Sequence, residues 1–314
     1  MKEKSFSKKI ILLITMVLFF IYIFINFDDF KQIRIYNFWL FLPLLVSSVL
    51  LLITNGIVLR EVVLPFGIKL SAKEWFGLSV ITATGNLLTP FQGGTITRAF
   101  YLNSRHKLSY SNFLSALSGI YIIVFWLNSL VALISILLVN YFYAAFNWLV
   151  FITFLIIFLT LSFVIVFSPK IKRTFKLEIL NKIVRVVNGW LVIKKNKRSV
   201  LFVALISFIN VLLISVSSFL EFRAIGVEIS FIKSLFVSIV SALSLFISLT
   251  PGSIGVREAF MAFTSNVVGV SSTKAITVSI LDRIVSLIPL LFLAPVFSKK
   301  LFGVFSLGKK SNKH

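Results

Sequence analysis

Long apolar runs are the feature of this sequence that most restricts its fold. Each run approaches or exceeds the roughly 20 apolar residues that are needed to cross a bilayer. The runs occupy residues 10–27, 38–59, 112–138, 148–167, 200–220 and 273–297. Because 58% of the 314 residues are hydrophobic, a water-soluble domain could not bury so much apolar surface. The sequence therefore predicts an all-α polytopic membrane protein with about six spanning helices, the first of which is retained.

Charge and composition exclude several classes of function. The formal net charge is +22, which in a membrane protein follows from basic cytoplasmic loops and does not require nucleic acid. The sequence has no cysteine, and its two histidines, His106 and His314, form no metal-ligand cluster. It also has no P-loop motif for ATP. We therefore predict no cofactor, no metal and no nucleic-acid partner.

Basic residues set the predicted orientation in the membrane. Lysines and arginines crowd residues 168–199 and both termini, so all three segments are predicted to be cytoplasmic. This orientation requires residues 71–102 and 231–269 to enter and leave the membrane on one side, since a Leu-Thr-Pro turn interrupts each of them. The sequence therefore predicts two re-entrant helical hairpins, the first opening to the cytoplasm and the second to the outside.

The predicted organisation has four parts. They are a first membrane half (1–168), a basic amphipathic cytoplasmic segment (169–198), a second membrane half (199–298) and a basic cytoplasmic tail (299–314). The hairpin turns of the two halves are similar, LLTPFQGGTITRAF at 87–100 and SLTPGSIGVREAF at 248–260. Turns that enter from opposite faces are typical of an inverted repeat with a binding site near the bilayer midplane.

An apolar stripe at helical spacing, which includes Val187 and Trp190, runs along the basic segment between the halves. Two interpretations of it remain open. One is an amphipathic helix on the anionic lipid of the cytoplasmic leaflet. The other is an ordinary basic loop.

The two hairpin turns are candidates for an anion site. A helix that restarts inside the membrane points N–H groups and a partial positive charge toward the midplane. Arg98 and Arg257 lie in the first turns of these helices, where a guanidinium fits a phosphate well. The predicted lipid-phosphate-binding residues are Gly93, Gly94, Thr95, Arg98, Gly252, Ser253, Gly255 and Arg257. Thr95 and Ser253 are expected to act as helix caps.

Other polar and turn residues are predicted to support this site: Asn86, Pro90, Gln92, Pro251, Glu258, Asp282 and Arg283. Adjacent residues on a helix point about 100° apart, so Arg257 and Glu258 are expected to have other partners, with Asp282 and Arg283 as candidates. The alternative, that these charges only neutralise one another or lie near the interface, remains open.

Both turns resemble the signatures of a known family. GNLLTPFQGGTITRAFYL and SLTPGSIGVREAF are similar to the two signature stretches of the lysylphosphatidylglycerol synthase transmembrane-region family, also called flippase-like integral membrane proteins. The matching positions are Asn86, Pro90, Gly93, Gly94 and Arg98, followed by Pro251, Gly252, Gly255, Arg257 and Glu258. Thr95 departs from the pattern, because an acidic residue is common there, so a headgroup contact through that carboxylate is not carried over.

The resemblance implies a function. In bacterial lysyl-lipid synthases this membrane unit is fused to an aminoacyl-transferase domain and moves the product lipid to the outer leaflet. Here the chain ends about one helix after the second signature, so we expect no lysyl transfer and no enzyme activity. The favoured interpretation is a plasma-membrane translocator, with both termini cytoplasmic, for a phosphate-bearing lipid that is aminoacylated or polyprenyl-linked.

Two other classes of function remain as alternatives. The chain could be a non-transporting membrane subunit that docks a separate lipid-modifying or glycosyl-transferring enzyme. A membrane-embedded enzyme with Glu258 and Asp282 as acid and base is the weaker interpretation. A homo-oligomer is also left open as a partner.

Overall fold

The computed structural model describes residue 24 and residues 35–167, 170–171, 178–247 and 250–308. Over these ranges the chain forms α-helices joined by short turns, with no strand. The helices are α1 (Phe41–Val63), α2 (Ala72–Leu88), α3 (Gly93–His106), α4 (Tyr110–Tyr143), α5 (Trp148–Phe167), α6 (Glu178–Lys194), α7 (Lys197–Ala224), α8 (Phe231–Ser241), α9 (Val256–Val267) and α10 (Ser272–Gly308). The all-helical prediction is confirmed for this part of the chain.

Five stretches of the described chain are long and apolar enough to cross a membrane. They are Phe38–Phe66, Tyr110–Tyr143, Trp148–Phe167, Lys197–Ala224 and Ser272–Gly303. These stretches coincide with five of the six predicted spans. The predicted first span, 10–27, lies outside the described residues apart from Phe24, as do the predicted amino-terminal segment and residues 309–314 of the tail.

One end of the bundle collects basic helix ends, and we call it the basic end. His106 at the end of α3 contacts Glu74 at the start of α2, with 2.8 Å between Nε2 and Oε1. The Tyr101 ring packs on the ring of Phe302, with 5.6 Å between centroids. Lys194 Nζ donates to the Ile165 carbonyl at 2.7 Å. The ends of α3, α5, α6 and α10 therefore lie together here.

The opposite end of the bundle, which we call the far end, carries the other connections. The Tyr36 N–H donates to the Ala224 carbonyl at 2.9 Å. Lys233 Nζ, at the start of α8, lies 4.4 Å from the centroid of the Tyr143 ring at the end of α4. These connections fall within or beside residues 28–37, 140–147 and 221–230, which the charge distribution predicts to lie outside. Which end faces the cytoplasm is still a prediction.

Each end of the bundle has its own cluster of buried hydrophobic side chains. At the basic end, Leu102, Trp190 and Val203 belong to one cluster of buried side chains. At the far end, a second cluster includes Val139 and Phe222. A smaller cluster, formed by Leu52, Val80 and Leu290 with Leu87 packed against it, lies around α2 and α10.

The apolar stripe of α6 packs against α4. Val187 and Trp190 are buried in the basic-end cluster. Gly189 allows a close approach, since a Cβ at this position would lie 2.9 Å from the Ser115 Cα. Gly119 of α4 allows a second close approach, since a Cβ there would lie 2.6 Å from Ile193 Cγ1. The predicted helix is present, but this face contacts protein, and a leaflet contact for its basic side stays a prediction.

Candidate functional site

The first predicted hairpin is a pair of packed helices, α2 and α3, joined by the turn Pro90–Gln92. Near the turn the helices approach so closely that a Cβ on Gly85 would lie 2.5 Å from the Gly94 Cα. At the other end of the pair, Glu74 meets His106. Helices that touch near the turn and again at their free ends form an antiparallel hairpin, and this one opens toward the basic end.

The second predicted hairpin has a less regular first arm. Helix α8 ends at Ser241, and a 3₁₀ segment, Ala242–Ile247, continues it toward the turn Pro251–Ser253. Helix α9 then returns beside α8, with 3.3 Å between the hydroxyls of Ser241 and Thr264. This hairpin opens toward the far end, so the two hairpins enter the bundle from opposite ends.

The turns of the two hairpins meet between the two ends of the bundle. The turn Pro90–Gln92 packs against the turn Pro251–Ser253. A Cβ on Gly252 would lie 3.0 Å from the Leu87 side chain. The backbone φ of Gly252 is +55° and that of Gly255 is +84°, values that favour glycine. The structure thus brings the two groups of predicted site residues to one place.

The helix caps differ from the prediction. Helix α3 begins after Gln92, and the Thr95 N–H donates to Asn86 Oδ1 at 3.2 Å. The prediction that Thr95 is a cap was wrong, because a side chain from the opposite arm of the hairpin accepts the free N–H. The backbone of Gly94 also lies close to Asn86, since a Cβ on Gly94 would lie 2.9 Å from the Asn86 N.

Ser253 is also not a helix cap. It lies within the second turn, and Gly255 is the residue before α9. The Gly255 N–H donates to Glu258 Oε2 at 2.6 Å, which is the half of a capping box that glycine permits. The prediction for Ser253 was wrong because the turn continues for two more residues, so that Gly255 occupies the cap position. The Gly255 N–H group, which donates to Glu258, is not available to a ligand.

Glu258 is buried, only 2% exposed, and its second oxygen is surrounded by donors from α10. Oε1 accepts from the Ser279 hydroxyl at 2.9 Å and from Arg283 Nε and Nη2 at 3.0 and 2.7 Å. Arg283 also donates through Nη1 to the Gly252 carbonyl at 2.6 Å. The Glu258–Arg283 pair therefore ties the second turn, α9 and α10 together.

Arg257 pairs with Asp282 through a hydrogen bond from Nη1 to Oδ2. The partners predicted for the Arg257–Glu258 dipeptide, Asp282 and Arg283, are those found, and this pairing is confirmed. Because successive side chains on α9 diverge, Arg257 and Glu258 reach different residues of α10. In this conformation the Arg257 guanidinium is already engaged by a carboxylate.

Glu221, near the end of α7, is a member of the cluster that the sequence analysis missed. It is 2% exposed, and its Oε1 has no hydrogen-bond partner. Its carboxyl group interacts with Asp282 and Arg257. The apolar run stops at Leu220, so hydropathy predicts a loop that begins at Glu221. Burial of Glu221 could have been predicted from the spacing of Ser215, Ser218 and Glu221. Residues three apart lie on one side of a helix, so this spacing extends a polar helical face to Glu221.

Arg98 differs from the other two arginines of the site. No carboxylate contacts it among the described residues, and its Nε is buried without a hydrogen-bond partner. The guanidinium lies over the ring of Phe113, 5.7 Å from the centroid. Nearby on α4, the Tyr121 hydroxyl donates to Gln92 Oε1 at 3.1 Å. Because it is partly buried and lacks an anionic partner, the Arg98 guanidinium is the group among the predicted site residues that is best suited to bind an anion.

The remaining predicted site residues lie in or directly beside the two turns. Pro90 and Gln92 lie in the first turn, and Pro251 lies in the second. Gly93 lies against the Thr89 hydroxyl. Contacts to a lipid phosphate from these residues stay predictions.

Comparison with known proteins identifies a family. The family described as "Lysylphosphatidylglycerol synthase TM region" matches residues 10–294, which include both hairpins and the charged cluster. No curated protein and no solved structure matches the chain. The match covers most of the sequence and agrees with the membrane-spanning helices described above. This chain therefore belongs to the lysylphosphatidylglycerol synthase TM-region family, and it is a membrane protein tied to lipid metabolism.

Proposed function

We propose that this protein moves a phosphate-bearing lipid between the leaflets of a membrane, and that Arg98 makes the first contact with the phosphate. The observation that carries the proposal is the guanidinium of Arg98, which no carboxylate contacts among the described residues and whose Nε is buried without a hydrogen-bond partner. Burying a charge without a counter-charge is costly, so a protein retains one where a ligand supplies the anion. A lipid phosphate does so, and a guanidinium binds it through two hydrogen bonds.

The arrangement of the two hairpins supports translocation over simple binding. The hairpins open to opposite ends, and their turns meet between those ends. In transporters built from inverted repeats, a site at such a junction is exposed to one side and then to the other. We propose that both hairpins are re-entrant and that the junction lies near the bilayer midplane, in the plasma membrane, with both termini cytoplasmic.

Leaflet-resolved lipid labelling in proteoliposomes tests the proposal. Lysyl-phosphatidylglycerol and plain phosphatidylglycerol are offered to the wild type and to Arg98→Ala. A charged hydrogen bond contributes about 1.5–3 kcal/mol, so we expect the variant to move lipid about tenfold more slowly or worse. Arg223→Ala is the matched control, because the guanidinium of Arg223 also lies over a ring, 5.4 Å from the Phe219 centroid, but is exposed. The control is expected to retain the wild-type rate.

Two outcomes would contradict the proposal. A folded Arg98→Ala variant with the wild-type rate would remove Arg98 from the mechanism. Failure of the wild type to move either lipid would favour the alternative of a docking subunit, which co-purification with a separate transferase would then test. We expect the purified chain to transfer no lysine to phosphatidylglycerol.

A further inference from the structure

The charged cluster between α7, α9 and α10 contains one more acid than base. Its acids are Glu221, Asp282 and Glu258, and its bases are Arg257 and Arg283. Arg257 neutralises Asp282, and Arg283 neutralises Glu258. Glu221 is the acid that remains, and it is the one whose Oε1 has no hydrogen-bond partner. A buried carboxylate without a counter-charge is costly, so the excess charge needs a bound cation.

No neighbouring helix supplies that counter-charge within the described residues. On α1, Arg60 pairs with Glu61, 2.7 Å away. On α8, Lys233 lies over the ring of Tyr143 at the far end. Helix α4 carries no charged residue. The charged groups that face Glu221 are therefore Asp282 from α10 and Arg257 from α9, with Glu258 acting on Arg257.

We propose that Glu221 and Asp282 together form a proton-binding site that controls Arg257. Two carboxyl groups that face each other at close range are stable when a proton lies between them. With that proton on Glu221, Asp282 is free to hold Arg257, which is the arrangement observed. The bound proton brings the net charge of the cluster to zero.

A second proton would release Arg257. Transfer of a proton from hydronium in the aqueous phase to Asp282 removes the negative charge of this carboxylate and weakens its ion pair with Arg257. The freed guanidinium could then bind a phosphate anion, whose single negative charge replaces the one that Asp282 lost. Entry of a lipid phosphate would therefore take up one proton, and lipid movement would be coupled to a proton gradient. This coupling rests on the proposed function, whereas the first bound proton does not.

Infrared spectroscopy of the purified protein tests the first proton without any lipid. A protonated carboxyl group has a C=O stretch that is separate from carboxylate bands and shifts in heavy water. We expect this band in the wild type at neutral pH and its loss in Glu221→Gln. We also expect its loss in Asp282→Asn, because Glu221 would then ionise and pair with Arg257. Glu228→Gln, which changes an exposed acid close along the chain, should retain the band.

Either of two results would overturn the site. Absence of the band from the wild type would mean that another cation, such as Na⁺, balances Glu221. Retention of the band in Asp282→Asn would mean that burial alone protonates Glu221 and that no shared site exists. Each variant is first checked for a single symmetrical peak in size-exclusion chromatography, so that a misfolded sample is not scored.

The pH dependence of binding tests the coupling. Short-chain phosphatidylglycerol is titrated into the detergent-solubilised protein. Linkage to one proton predicts that the Kd rises by about tenfold per pH unit in the steepest region. The double variant Glu221→Gln/Asp282→Asn should bind tightly at every pH, because neither carboxylate is left to compete for Arg257. A wild-type Kd that does not change with pH would overturn the coupling. Absence of binding at any pH would overturn the proposed function and leave the infrared result intact.

Discussion

Arg283 donates two hydrogen bonds to one oxygen of Glu258, of 3.0 and 2.7 Å. The two residues come from different helices, α10 and α9, and Glu258 is almost fully buried. The same guanidinium also reaches the carbonyl of Gly252 in the second turn. One side chain therefore joins the second turn, α9 and α10.

Replacing Arg283 with alanine is expected to destabilise the protein strongly. The change leaves the Glu258 carboxylate buried without its cation, and breaking a buried pair in this way costs about 3–5 kcal/mol. We expect a clear fall in the midpoint of thermal unfolding in detergent.

Arg60→Ala is the control for this prediction. Arg60 also pairs with a glutamate, Glu61, but its side chain is 39% exposed. An exposed ion pair contributes about 0–1 kcal/mol, so the midpoint should hardly change. Equal midpoints for the two variants would show that Arg283 does not hold the second turn.

Gly94→Ala is expected to push the arms of the first hairpin apart. The new methyl group would meet the Thr82 carbonyl and would lie 2.9 Å from the Asn86 N. Overpacking of this kind costs about 1–3 kcal/mol, again measured by thermal unfolding. Gly303→Ala in α10 is the matched control, because its Cβ would find Lys299 Cγ at 3.7 Å, an ordinary contact. A loss of stability in the control alone would contradict the predicted close approach.

Acid pH should lower the stability of the fold by protonating Glu74 at the basic end. Burial alone would raise the pKa of Glu74, but hydrogen bonds from Ser71 and the contact with His106 outweigh it and hold the pKa below its ordinary value. Burial and the Glu74 carboxylate in turn raise the pKa of Tyr101 to about 12. Because the folded state binds the Glu74 proton less tightly than the unfolded chain, Glu74 stabilises the fold above the ordinary pKa.

This contribution should be lost as the pH falls below about 4.3, the ordinary glutamate pKa, and passes through the lower folded value. The measurement is the unfolding midpoint of wild type and Glu74→Gln over that range. The difference between the two proteins should shrink toward acid. A difference that stays constant with pH would mean that the carboxylate charge of Glu74 contributes nothing.

Trp190→Ala should release α6 from α4. The Trp190 side chain is 1% exposed, and truncating a buried tryptophan costs about 3–5 kcal/mol. We expect faster cleavage by a lysine-specific protease near Lys194 and Lys195, since the end of α6 would detach. Val192→Ala removes an exposed side chain from the same helix and should not change the rate. Equal cleavage of both variants would show that Trp190 does not anchor α6.

The spanning helices could be predicted because bilayer thickness imposes a length on apolar runs. The ion-pair partners of Arg257 and Glu258 could also be predicted, because helical geometry separates adjacent side chains. Both arguments use local information. They needed no knowledge of how the helices pack.

The helix caps and Glu221 depended on packing and were not predicted. Asn86 accepts from Thr95 only because α2 and α3 touch. Glu221 follows the last residue of an apolar run, so hydropathy alone placed it in a loop. Its burial results from neighbours on α9 and α10, which lie far away in the sequence. The sequence left the segment of α6 open between an amphipathic helix and a basic loop, and it did not predict the contact of this helix with α4.

Helix α10 connects the two hairpins mechanically. Near its start, Asp282 and Arg283 hold α9. Near its end, Phe297 fits against Gly77 of α2, where a Cβ would lie 2.6 Å from the ring. Between these attachments the helix contains Pro289 and Pro295, each of which removes a backbone hydrogen bond. A bend at these prolines would move one hairpin relative to the other, so α10 would act as a hinge between the two hairpins.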